Sequence, residues 1–174
     1  MHIGEVVWYV TGRFYATETS LFDVGYFLYL SGIDGPLFNG APGEGTAHFT
    51  FSADPFTATD VKNGDLDIAL DATGTFGIYF NENPSASFDD PASFARGQRI
   101  ATFERVSMVA GVSFKTGPAS VSMNVFTARL VSSEPFRYGD LREIIPYGVT
   151  QWGTAAAVAA EKAVPFIGSA IRVS

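Results

Sequence analysis

The chain has 174 residues, enough for one domain whose core needs no covalent staples. With 11 basic against 18 acidic residues its net charge is −7, a field that repels nucleic acid and anionic lipid, so neither is expected as a partner. There is no cysteine, which excludes disulfides, thiolate metal centres and a cysteine nucleophile together.

Charged residues make up 17% of the chain, below the roughly 25% of an average soluble domain, while hydrophobic residues reach 47%. So few charges imply apolar surface withheld from bulk water, either as the lining of a cavity or as a patch covered in a homo-oligomer. The start, "MHIGEVVWYV", lacks the basic segment, apolar run and small-residue cleavage site of an export signal. No apolar run approaches the roughly 20 residues of a membrane helix. A cytoplasmic protein without a membrane partner is the expectation, and an outer-membrane barrel is a distant third reading.

In chain order, residues 5–16, "EVVWYVTGRFYA", are rich in β-branched and aromatic types and predict a first strand, with Gly12 marking a bulge or bend. Residues 25–33 predict a second, ended by the glycines and prolines of "DGPLFNGAPGEG". In "TAHFTFSA", Ala47, Phe49 and Phe51 alternate with His48, Thr50 and Ser52, the pattern of a half-buried strand. Asn63-Gly64 predicts a two-residue hairpin turn, with Leu66, Ile68 and Leu70 facing one way and Asp65, Asp67 and Asp71 the other. Those acids lack the central glycine and closing glutamate of a calcium loop, so they read as the wet side of a strand and no metal is expected.

Residues 81–97, "NENPSASFDDPASFARG", show no periodicity over a length at which loops are often lids. Phe88 and Phe94 are the lid candidates, the plainer alternative being that they pin the loop to the wall. Asp140 and Glu143 have capping-box spacing before a short turn, and the alanine-rich residues 150–164 predict a helix stopped by Pro165. The tail "FIGSAIRVS" is a candidate returning strand.

The main hairpin is "RIATFERVSMVAGVSFKTGPASVSMNVFTARLV", residues 99–131, turning at "KTGPA". A strand over residues 100–115 would run about 50 Å, so a bend is expected, at Gly111. With Lys115 opposite Ser120, one face is apolar through Met108, Met123 and Val125 and carries Glu104 beside Val131, with Arg129 one diagonal step away. The other face is mixed and carries Arg105. Charges on an apolar face are expected to pair. Three readings follow: a structural ion pair, a site that orients a polar ligand group, or a one-residue slip that separates the two.

Other chemistry is absent from the pattern. "GAPGEG" has neither dinucleotide nor phosphate-loop spacing, no G-x-S-x-G elbow occurs, and His2 and His48 are the only imidazoles. His48 on the polar side of a strand reads as a hydrogen-bonded surface residue before it reads as a base. Among 16 phenylalanines and seven tyrosines, Tyr9, Tyr29 and Tyr79 fall on predicted strands as candidate pocket walls.

The expected fold is all-β with minor α: one antiparallel β-barrel of about eight strands over residues 1–174 with a C-terminal helix, or alternatively a two-sheet sandwich. The expected function is binding of an apolar small molecule, with cofactor-free cyclase or isomerase chemistry in the cavity. Glu104 and Arg129 would be catalytic, and Tyr9, Tyr29, Tyr79, Phe88, Phe94, Met108 and Met123 would bind ligand. The alternative is a non-enzymatic structural or self-assembling protein whose charged pair only fastens the sheet.

Overall fold

The computed structural model describes residues 4–16, 20–64, 66–71, 74–106, 109–116, 119–145, 149–158 and 163–172. Among the described residues eleven strands are present: β1 Glu5–Ala16, β2 Leu21–Leu30, β3 Phe49–Ala53, β4 Ala58–Asn63, β5 Leu66–Asp71, β6 Thr75–Phe80, β7 Gln98–Arg105, β8 Val109–Thr116, β9 Ala119–Ser133, β10 Val149–Val158 and β11 Ala163–Arg172. They pair antiparallel in one sheet, in the order β10-β11-β1-β2-β3-β6-β7-β9-β8-β5-β4. The all-β class stands, and a single sheet replaces the alternative of two stacked ones. Seven consecutive strands, β11 through β9, curl around a common core as a half-barrel.

Bulges supply the curl. Register shifts occur between Val6 and Trp8, between Tyr9 and Val10, between Ile78 and Tyr79 and between Thr102 and Phe103, each adding local twist to its strand pair. Gly12 is not itself a bulge. It lies opposite Gly25, where a Cβ on Gly12 would sit 2.4 Å from the Val24 carbonyl oxygen and one on Gly25 would sit 2.2 Å from that of Thr11. The two glycines let β1 and β2 cross closely beneath the rings of Phe166 and Phe51.

The concave side is filled by aromatic rings. Trp8 meets Phe27 and Phe103 edge-on with centroids 5.8 and 5.6 Å apart, and Phe103 stacks nearly parallel on Phe76 at 5.1 Å. Phe49, Phe51, Ile78, Ile100 and Ala128 belong to the same buried cluster. Leu141 of the short helix α1, Leu141–Ile144, packs into it from the end. The Asp140 side chain caps α1 by accepting from the Arg142 backbone N–H at 2.9 Å, as the spacing predicts.

Three expectations are corrected. The C-terminal helix is absent: most of residues 150–164 lie in β10, which pairs with β9 along Ala119–Ala128 and with β11 along Phe166–Arg172. Helix propensities differ by at most roughly 0.7 kcal/mol per ordinary residue, and ladder bonds on both edges outweigh that. Pro165 stands within β11 just beyond the last β10 partner, where its missing N–H interrupts no ladder on that side.

The β4–β5 turn falls one residue later than predicted, because Asn63 pairs with Leu66 and Gly64, at φ +61°, is the first loop residue. The long strand does not bend at Gly111; β7 ends at Arg105, and β8 departs to pair with β5 as well as β9. Of the two readings of the 81–97 loop, lid or pinned segment, the described contacts match the second: the loop is a brace. Its 3-10 helix Pro91–Ala95 buries Phe94 completely with Val24 and Ala86, and Thr50 Oγ1 donates to the Phe94 carbonyl at 2.6 Å.

Candidate functional site

Glu104 and Arg129 do meet. They are direct cross-strand partners, and Arg129 Nη2 donates to Glu104 Oε2 at 2.9 Å. The β8–β9 hairpin has the predicted register, Lys115 opposite Ser120, but β7 pairs with β9 two residues out of step with it. An even shift turns a diagonal neighbour into a direct one and leaves both side chains on the same face.

That face is the outer one. The Glu104 and Arg129 side chains are 42% and 62% exposed, next to the exposed Val106, Met123, Val125 and Val131. The expected apolar lining is therefore corrected to an apolar outer strip, and the lining is the mixed face along β7 and β9, with Arg105, Phe126 and Ala128 buried. Phe103 decides this. Its ring is wholly buried between Trp8 and Phe76, so on the alternating strand Glu104 must point outward and Arg105 inward.

Arg105 is 4% exposed, and its Nη2 lies 3.3 Å from Oδ1 of Asp23, which β2 projects inward opposite Phe14. The guanidinium carbon sits 4.5 Å from the centre of the Phe56 ring and 5.3 Å from that of Phe126. Such stacking stabilises a desolvated cation that one long ion-pair contact leaves poorly compensated. Burial pushes the Asp23 pKa above its ordinary value, and the charge and hydrogen bond of Arg105 pull it partly back.

Three buried donors here have no acceptor among the described residues: Trp8 Nε1, Arg105 Nε and Arg105 Nη1. Each orphaned group destabilises the fold by about 1–3 kcal/mol, more where it is charged. Trp8, Asp23 and Arg105 border one cavity of about 10 Å³, walled otherwise by Val10, Phe27, Phe51 and Phe76. The arrangement offers N–H donors for an oxygen beside one carboxyl whose pKa burial raises. Among the described residues no cluster of three or more His, Asp or Glu is arranged to hold a metal ion.

The other predicted residues are not gathered. Tyr9 and Tyr29 are exposed against each other on the outer wall, centroids 6.0 Å apart. Tyr79 is buried, with its hydroxyl accepting from Arg99 Nε at 2.9 Å and the Arg99 guanidinium 5.2 Å over its ring. Phe88 packs on Phe94 at 4.8 Å under Arg13, within the brace. Met123 is exposed, and Met108 lies outside the described residues. His48 Nδ1 lies 2.8 Å from the Asn81 carbonyl oxygen and holds the start of the brace.

Trp8, Asp23 and Arg105 escaped the sequence reading as site residues, although the last two left a trace. Asp23 is the only charged residue in "LFDVGYFLYL", and Arg105 follows Phe103 by two, the spacing of a shared strand face. Comparison with protein families, curated proteins and solved structures gives no match to this chain.

Proposed function

We propose that this chain binds a small apolar molecule inside the curled sheet, anchored by the N–H groups of Trp8 and Arg105. The observation that carries the reading is the convergence of three acceptorless donors and a buried carboxyl on one aromatic-walled cavity. Natural cores leave few such groups unmatched, and those that persist ask for a reason. Closure of the half-barrel through β10 belongs to the same proposal: its pairing with β11 on one edge and β9 on the other supports an eight-stranded ring that would seal the interior. Any isomerase- or cyclase-type proton transfer would fall to Asp23, the carboxyl inside, in the place expected of Glu104.

A second reading has its own support. A cavity of about 10 Å³ is near the minimum for one water molecule, which would match the donors and make the site a structural fastener. Titration with the neutral fluorophore N-phenyl-1-naphthylamine separates them. The first reading requires saturable uptake at one site per chain and a higher melting temperature on loading; absence of saturable uptake leaves the fastener.

A further inference from the structure

The charge balance of the interior narrows what kind of molecule it accepts. Of the seven side chains around the cavity only Asp23 and Arg105 ionise, and they are already matched to each other. With both charged the site sums to zero. A carboxylate guest would leave one uncompensated negative charge in a low-dielectric interior, next to an anion already there, which is strongly unfavourable. A plain hydrocarbon is also a poor match, because it leaves Trp8 Nε1, Arg105 Nε and Arg105 Nη1 as they are. The fully buried groups without a partner among the described residues are all donors, so the group that fits them brings acceptance: a carbonyl oxygen, which adds no further donor as a hydroxyl or an amine N–H would.

Resting on the binding reading above, we infer that the guest is a neutral carbonyl compound on an apolar frame, its oxygen received between the indole N–H of Trp8 and the guanidinium of Arg105. The cavity takes the oxygen; the frame needs a ring beside the cavity, outside its wall, to move. Phe56 is placed for that movement. It covers the guanidinium from the connection between β3 and β4, outside any strand; its backbone N–H and carbonyl are both bonded to Leu21, at 2.8 and 2.7 Å, so the movement is one of the ring and not of the chain.

Three small probes of matched size test the inference on the intact chain: acetophenone, ethylbenzene and benzoate. The readout is the Trp8 indole N–H resonance of the nitrogen-15-labelled protein, identified by its loss in Trp8→Phe. Acetophenone should shift that resonance downfield and saturably, binding at least about tenfold more tightly than ethylbenzene or benzoate near pH 7, since one charge-assisted hydrogen bond is worth about that factor. In Trp8→Phe the preference for acetophenone over ethylbenzene should shrink severalfold. If benzoate binds as well as acetophenone, or ethylbenzene does so without loss, the carbonyl inference is overturned while an interior apolar site stands. If none of the three shifts the resonance saturably, the binding reading itself falls.

Discussion

Two consecutive residues of β7 build two ion pairs of opposite character. Glu104 points out and meets Arg129 at 2.9 Å with both side chains largely solvated, whereas Arg105 points in and meets Asp23 at 3.3 Å among aromatic rings. The shorter contact is the weaker one energetically. Water and salt screen the outer pair, so it is worth about 0–1 kcal/mol, while removing one inner partner strands a charge where nothing solvates it. Distance alone does not rank ion pairs; surroundings do.

The largest expected effect is at the inner pair. Arg105→Met should lower stability by about 3–5 kcal/mol at pH 7, measured by urea unfolding, because Asp23 is left buried without its counter-charge. The pKa of Asp23 is already above the ordinary 3.8 in the folded chain. Its protonated form therefore adds stability that is full below that ordinary value and lost as pH rises through the raised one. Without Arg105 the raised value climbs further, so the deficit of Arg105→Met should shrink as pH falls from 7 toward the ordinary carboxylate range. A deficit that grows on acidification would place the Asp23 carboxylate in water and break the comparison.

The double variant Asp23→Val/Arg105→Met sharpens it. Replacing both partners by apolar groups removes the carboxylate that Arg105→Met strands, along with the two orphaned Arg105 donors, so it should be more stable than Arg105→Met alone by at least about 2 kcal/mol. Next in size is Asp140→Ala, which removes the cap of α1 and should cost about 1 kcal/mol by the same measurement. Hydrogen bonds from Ser133 and then from the Arg142 backbone hold the Asp140 carboxyl below its ordinary range. Its contribution is present above the ordinary carboxylate value and lost as pH falls through the lowered one, the reverse of Asp23. Smallest is Glu104→Gln, expected within about 1 kcal/mol of the parent at low salt and indistinguishable from it at 1 M salt.

The same two residues show how far the sequence could be read. Strand existence was legible along most of the chain because period-2 patterning and turn residues are local signals, and the β8–β9 register followed from the "KTGPA" turn. That Glu104 and Arg129 are neighbours was legible too. Which face of the hairpin looks inward was not, since both faces carry apolar residues and the choice is made by Phe103 wedging between Trp8 and Phe76, partners distant in sequence. The β10 error has the same origin: a run of alanines prefers helix by itself, and only the edges offered by β9 and β11 make it a strand. Asp23 stayed hidden because its partner lies 82 residues away, beyond any spacing rule.

Double-mutant cycles run in parallel on Asp23 with Arg105 and on Glu104 with Arg129, at low and at 1 M salt, test the central contrast most directly. The account predicts an inner coupling of at least about 2 kcal/mol that salt leaves unchanged, beside an outer coupling below about 1 kcal/mol that salt removes. Two small couplings, both abolished by salt, would contradict it.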